Sequence, residues 1–287
     1  MTETRQPDAT TLNSWHIVGA RDEIAVGVAR SSLLLGQPIT ILRRDGRSIE
    51  IFCAGRALPV LDRYGYVWTS LGTPPTDLFA IPEYFESDRR NVNAATFGVH
   101  VSAPRAIENF LDMGHFPFVH TGYLGEEPFT EVKDYDVEIT ENPREILATR
   151  CRFYQPRPSP TATEGFDVEY IYRVPHPFCS VLYKSSPTDP KRMDVIALFL
   201  QPLDEEHVSA NMLLSVLDDI NDNGQIRRFQ QTIFGQDKPI LENQFPKRLP
   251  LDPRIETPIR ADKSSIAYRR WLSNQGITYG TIPATIR

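Results

Sequence analysis

Cysteine is scarce in this chain: Cys53, Cys151 and Cys179 are the only three in 287 residues, and none belongs to a C-x-x-C pair. That excludes a disulfide framework or a zinc knuckle, and the three read as reduced thiols. Long apolar runs are missing too, since nothing approaches the ~18 residues that a membrane span needs. The opening MTETRQPDATTLNSW has no basic-then-apolar order of the kind that marks a signal peptide. The expectation is a cytoplasmic chain with no membrane partner. Clustered positive charge is also absent: 31 Lys and Arg stand against 37 Asp and Glu, a formal charge of -6. Nucleic acid is therefore an unsuitable partner, because phosphate binding depends on clustered cations that release counterions. A small molecule or another protein is left. There is no internal repeat and no low-complexity tract, and 40% apolar residues suffice for one large core or two modest ones.

What is present is mostly short and β-like. WHIVGA, QPITILRRDGRSIEIF, YGYVWTSLG and NAATFGVHVSAP are β-branched or aromatic segments punctuated by Gly, Pro and Asp. They read as strands of a small N-terminal β-domain that ends around the proline-rich GTPPTDLFAIP, with a boundary near residue 90. Six further strand-length segments, from KDYDVEIT through REILATRCRFY, FDVEYIYRV, CSVLYKSS and MDVIALFLQPL to HVSANMLLSVL, suggest one antiparallel sheet. In NGQIRRFQQTIFGQDKPILENQF the apolar residues Ile226, Phe229, Ile233 and Phe234 recur at helical spacing, while Gly235 and Pro239 imply a kink or a broken turn. ADKSSIAYRRWLSNQG, with Asp near its start and Gly at its end, reads as a terminal helix. The fold class expected is α+β, with a β-domain over 1–90 and a second domain over 91–287.

Chemistry concentrates in IENFLDMGHFPFVH, residues 107–120, which holds Asn109, Asp112, His115 and His120. Two neutral imidazoles and a carboxylate occupy one face of an octahedral ion and leave other positions open, a donor set suited to iron(II) that must meet dioxygen beside its substrate. The five-residue separation of the histidines is not helical, so a helix must end or bulge near Gly114 to Pro117. Asp237 in FGQDKPILENQ offers the carboxylate. It could equally be a helix N-cap, and the histidines could be ordinary satisfied ones.

These residues resemble those of the Rieske non-haem iron oxygenases. ENFLDMGHFPFVHTGYLG is very similar to the N-x-x-D-x-x-H-x-x-x-x-H stretch of that family's catalytic domain, and QDKPILENQ to the segment bearing its third ligand. The likeness extends to YGYVWTSLG and ADKSSIAYRRWL, so it covers most of the chain. It implies a helix-grip-like catalytic domain in which His115, His120 and Asp237 bind Fe2+. It also implies that Asp112 bridges an iron-ligand histidine to an incoming electron donor, with Asn109 beside it. The departure concerns the Rieske cluster, which needs C-x-H and C-x-x-H motifs. Neither is present, although GQPITILRRDG and GRALPVLDRYGYVWTSLG resemble the flanks of the missing insert. The N-terminal domain is thus expected to be a remnant with no bound 2Fe–2S cluster.

Within the family this arrangement resembles the caffeine-pathway N-demethylases. The resemblance implies oxidative N-demethylation of a methylxanthine, with 7-methylxanthine giving xanthine and formaldehyde. O2 would be co-substrate, and NAD(P)H electrons would arrive through a Rieske-domain-containing reductase in an oligomeric complex that could include a structural subunit. Gln230 and Phe234 lie four residues apart, with Asp237 three further on, so helical spacing aligns them with the iron ligand as candidates for the edge and face of a purine. They could also be a solvated amide and a core phenyl ring. A 2-oxoglutarate-dependent oxygenase is disfavoured, because its first histidine is followed closely by the acid. A catalytically dead scaffold subunit, or an oxygenase of the same family for another aromatic substrate, are the other readings.

Overall fold

The computed structural model describes residues 6–46, 48–186, 189 and 191–284. A short helix α1 (Ala9–Leu12) leads into β1 (His16–Ala20), and then β2 (Ala29–Leu34), β3 (Gln37–Arg43), β4 (Ile49–Cys53), β5 (Arg56–Ala57), β6 (Val60–Arg63) and β7 (Tyr66–Thr69) follow. They form two small sheets, one ordered β1-β7-β6 and the other β2-β3-β4-β5. The β2-β3 hairpin turns at Leu35-Gly36, both at positive φ, where glycine pays no steric penalty.

The large sheet begins at β8 (Arg90–Val99). Helix α2 (Ala103–Leu111) and a single turn α3 (Phe116–Val119) come next, followed by β9 (Asp136–Ile139), β10 (Ile146–Gln155), β11 (Phe166–His176), β12 (Cys179–Ser185), β13 (Met193–Pro202) and β14 (Val208–Val216). The chain then runs through α4 (Asn223–Asn243) to α5 (Lys263–Asn274). The order β8-β14-β13-β12-β11-β10-β9 is a meander with β8 added beyond its last strand, and every pairing is antiparallel. This corrects one expectation. NAATFGVHVSAP does not belong to the N-terminal β region, because its strand pairs with β14 from Val99 opposite Val208 to Arg90 opposite Val216.

Both faces of this sheet are covered, which is why MDVIALFLQPL reads as an apolar run rather than an alternation. Val181, Val195, Ala197 and Phe199 face one way, onto Ile17, Tyr66 and Trp68 of the N-terminal strands. Leu182, Leu198, Leu200 and Met212 face the other way, into a core shared with Ile107, Phe116, Phe234 and Trp271 of the helices.

Helix α4 corrects the broken turn expected at Gly235 and Pro239: it continues as one helix of 21 residues with Pro239 inside it. Proline there removes one backbone donor. Tertiary contacts outweigh that loss. Asp222 and Gln225 form a capping box at the N-terminus, with Asp222 accepting from the Gln225 N–H at 2.8 Å and Gln225 accepting from the Asp222 N–H at 2.9 Å. Along the helix, Arg227, Gln231 and Lys238 donate to the carbonyls of Asn93, Ala94 and Gly98, so α4 covers the free side of edge strand β8.

Candidate metal centre

Helix α2 ends because Asp112 leaves the helical conformation and its side chain turns to local donors. One carboxylate oxygen accepts from the Gly114 N–H at 2.8 Å and the other from His115 Nδ1 at 2.9 Å. His115 then begins the single turn α3 and His120 ends it, so the irregularity expected around Gly114 to Pro117 is what separates the two rings. Beyond His120 the loop folds back over α3. A Cβ on Gly125 would stand 2.7 Å from the Pro117 nitrogen, so only glycine permits that approach. Asp237 arrives from α4, whose cap is Asp222 and not Asp237.

The three side chains converge. His115 Nε2 and His120 Nε2 are 3.1 Å apart, and Asp237 Oδ1 is 3.3 Å from the first and 3.1 Å from the second. Two ligand atoms each ~2.1 Å from one ion and at right angles about it stand ~3 Å apart, so these separations match three adjacent corners of an octahedron. The second nitrogen of each ring is occupied elsewhere. His115 Nδ1 bonds to Asp112, and His120 Nδ1 lies 2.9 Å from Gln236 Oε1. When both Nδ1 atoms donate, two Nε2 lone pairs and a carboxylate oxygen face one another, an arrangement suited to a cation between them.

The electrostatics of the site favour positive charge among these groups. Burial disfavours a charge on His115, yet hydrogen bonds to Asp112 and Asp237 hold its pKa up to about 9. Burial likewise works against the Asp237 carboxylate, and the two imidazoles overcome it to bring that group down to about 2. Among the described residues no other group of three or more His, Cys, Asp or Glu side chains converges in this way. Cys53, Cys151 and Cys179 are all unpaired.

Asn109 donates to Asp237 Oδ1 at 3.3 Å, tying the end of α2 to α4. A pocket opens above the triad between α4 and the sheet. Phe110, Leu182, Leu198 and Met212 make its walls apolar, and Gln230 and Phe234 both line it. Phe234 also stacks on Phe97, with ring centres 4.6 Å apart, so it serves the pocket and the core at once. Gln230 is buried with its amide nitrogen 3.6 Å from the Met212 sulfur. Three pocket-lining polar residues had no sequence signal, Tyr170, Tyr172 and Lys184, and neither did Gln236 behind His120. Lys184 and Gln236 acquire their partners, the Pro158 carbonyl and His120, only across the fold.

Residues 99–275 match the family model of the vanillate O-demethylase oxygenase C-terminal domain. The chain is 48% identical over 272 residues, 94% of this chain and 96% of the relative, to a probable methylxanthine N7-demethylase, NdmC, of Pseudomonas sp. strain TJI-51. It is 28% identical over 221 residues, 74% of this chain and 58% of the relative, to the methylxanthine N1-demethylase NdmA of Pseudomonas putida. The solved structure of P. putida CBB5 NdmA with caffeine shares the fold at a TM-score of 0.73 and 20% identity, covering 91% of this chain and 90% of that one. With an iron-binding triad in place and demethylase relatives on both sides, the chain belongs to the Rieske-type non-haem iron oxygenases and is an enzyme of oxidative demethylation.

Proposed function

We propose that the chain removes the N7-methyl group of 7-methylxanthine, giving xanthine and formaldehyde, with electrons from a Rieske cluster on a partner reductase that draws on NAD(P)H. The observation that carries the substrate is the 48% identity, along nearly the whole of both chains, to a relative named as a probable methylxanthine N7-demethylase. The reaction balances with O2 as co-substrate. One oxygen atom enters a methyl C–H bond, and the other leaves as water after taking up two electrons and two protons. The hydroxymethyl group then departs as formaldehyde, and the ring nitrogen gains a proton. Held by His115, His120 and Asp237, iron(II) would supply the oxygen activation this needs.

The chain's own residues set the geometry. Asp112 and Gln236 fix the tautomers of the two histidines, and Asn109 holds Asp237 in place. Asp112 and His115 also border a second, open cleft lined by Glu108, Ile240, Glu256 and Arg269. Exposed Phe245, Ile255 and Ile259 adjoin its lining residues in sequence. We read that cleft as the seat of the electron donor and Asp112 as the link from it to His115. In the pocket, Gln230 directs the purine edge and Phe234 covers its face. On this reading residues 1–90 are the cluster-less remnant and 91–287 the iron domain.

The test combines the iron-loaded chain, a Rieske-containing reductase and NADH with 1-, 3- and 7-methylxanthine. Formaldehyde and xanthine in equal amounts from the 7-isomer are expected, with none when the reductase is omitted. Iron-loaded protein that yields no formaldehyde from any isomer would overturn the assignment. A scaffold role would show instead as a chain that holds no iron.

A further inference from the structure

Lys184 lies on β12, opposite Tyr170 of β11 and Asp194 of β13, and it is only 7% exposed. Its Nζ donates to the Pro158 carbonyl at 2.6 Å. An ammonium has three donors, so two are left over. Asp194 in the next strand acts on Lys184 through its charge, while its Oδ1 accepts from the Leu217 N–H at 2.8 Å. No described carboxylate forms an ion pair with Lys184. A cation buried this way is costly, and an aliphatic residue would fill the position with less penalty. Folding alone does not account for it.

Its place in the pocket does. Lys184, Ile196, Phe229 and Gln230 line both the pocket above the triad and an adjoining cavity that none of the metal ligands reaches. Lys184 therefore marks the end of the pocket away from His115, His120 and Asp237. Between them the walls are largely apolar, apart from Gln230, the Tyr170 hydroxyl, which accepts from Gln155, and the Tyr172 hydroxyl, which has no hydrogen-bond partner. Burial draws the Lys184 pKa down to about 8, so the group still carries its charge at neutral pH.

We propose that Lys184 is a substrate anchor, donating a hydrogen bond to the carbonyl oxygen that lies between the two nitrogens of the six-membered ring of an oxopurine. Anchoring that carbonyl at the far end turns the five-membered ring, with its N-methyl group, toward the metal ligands. The inference rests on the methylxanthine reading and adds the residue that selects the orientation.

The experiment measures binding by calorimetry to iron-loaded protein without oxygen or reductase, comparing 7-methylxanthine with 7-methylhypoxanthine, which lacks that carbonyl. Wild type should prefer the xanthine by ~10–100-fold, the range for a hydrogen bond from a charged donor. In Lys184→Met the preference should vanish, with iron content unchanged and thermal stability equal or higher. Lys184→Gln, which keeps a donor without the charge, should lie between the two and replaces Lys184→Met if that variant does not fold. A preference that survives in the variants, or that wild type never shows, removes the anchor and leaves the demethylase reading intact. Wild type that binds neither purine removes the methylxanthine reading, and the anchor with it.

Discussion

The two histidines of the triad differ in what holds their Nδ1 atoms, and that difference predicts separable phenotypes. His120 rests on a neutral amide, Gln236, whereas His115 rests on Asp112, a carboxylate that borders the open cleft. Asp237→Ala should lose iron and turnover together, since two imidazoles leave the ion's charge uncompensated; metal analysis that found full occupancy would displace Asp237 as a ligand. Gln236→Leu should weaken iron binding ~10–100-fold by freeing the His120 ring, which a chelator competition would read. Asp112→Asn should behave otherwise, because its amide oxygen still accepts from His115. Iron should stay bound while reductase-driven turnover collapses, and near-normal turnover would remove Asp112 from the electron route.

At the scale of elements, α2 leads into the turn that holds both histidines and α4 carries Asp237, so what fixes these helices fixes the site. Arg105, fully buried on α2, pairs with Glu108 at 2.8 Å and with Glu256 at 2.8 Å, and Arg269 of α5 bonds to the same two carboxylates. Glu108→Ala would leave two guanidinium groups sharing the Glu256 carboxylate, and unfolding in urea should show a loss of ~1–3 kcal/mol. Helix α4 offers the opposite test. A Cβ at Gly235 meets nothing within 4 Å. Gly235→Ala should therefore add ~1 kcal/mol of stability without changing kcat, and a destabilised variant would mean that Gly235 is needed beside Pro239. The broken turn that Gly235 and Pro239 suggest in the sequence does not form, and α4 gains contacts to β8 that local propensity does not contain.

For the whole molecule, the N-terminal strands and the large sheet meet at a pair of histidines, His16 buried and His176 half-buried. His16 of β1 and His176 of β11 have ring centres 6.1 Å apart, and His16 Nε2 bonds to the Thr11 carbonyl at 2.8 Å. Burial holds His16 at about 4, against the pull of the Thr11 carbonyl and Asp8, and burial with the neighbouring His16 holds His176 at about 3. Both folded values lie below the unfolded one near 6.5, so the unfolded chain binds more protons as pH falls. Their contribution is complete above pH 6.5 and is lost on acidification toward 4, by an amount on the order of a few kcal/mol. Urea midpoints between pH 7.5 and 4.5 should fall accordingly, and the fall should be smaller in His16→Gln. A midpoint flat across that window would mean that the pair is exposed in solution.

Much of the metal centre is local and was therefore legible: Asn109, Asp112, His115 and His120 occupy one short stretch, whose helix break at Gly114 follows from the residues themselves. Strand-length segments foretold the large sheet, and missing C-x-H and C-x-x-H motifs spoke against a resident cluster. The third ligand was a different matter. Asp237 and Glu242 share one helix, and only packing separates them: Asp237 turns to the histidines, while Glu242 accepts from the His100 N–H and pairs with Lys238. Tertiary structure alone decided the partners of Gln236, the burial of Lys184 in the pocket wall and the sheet to which β8 belongs. Each depends on groups far apart in the chain, and side-chain periodicity carries no record of which distant surface an element will meet.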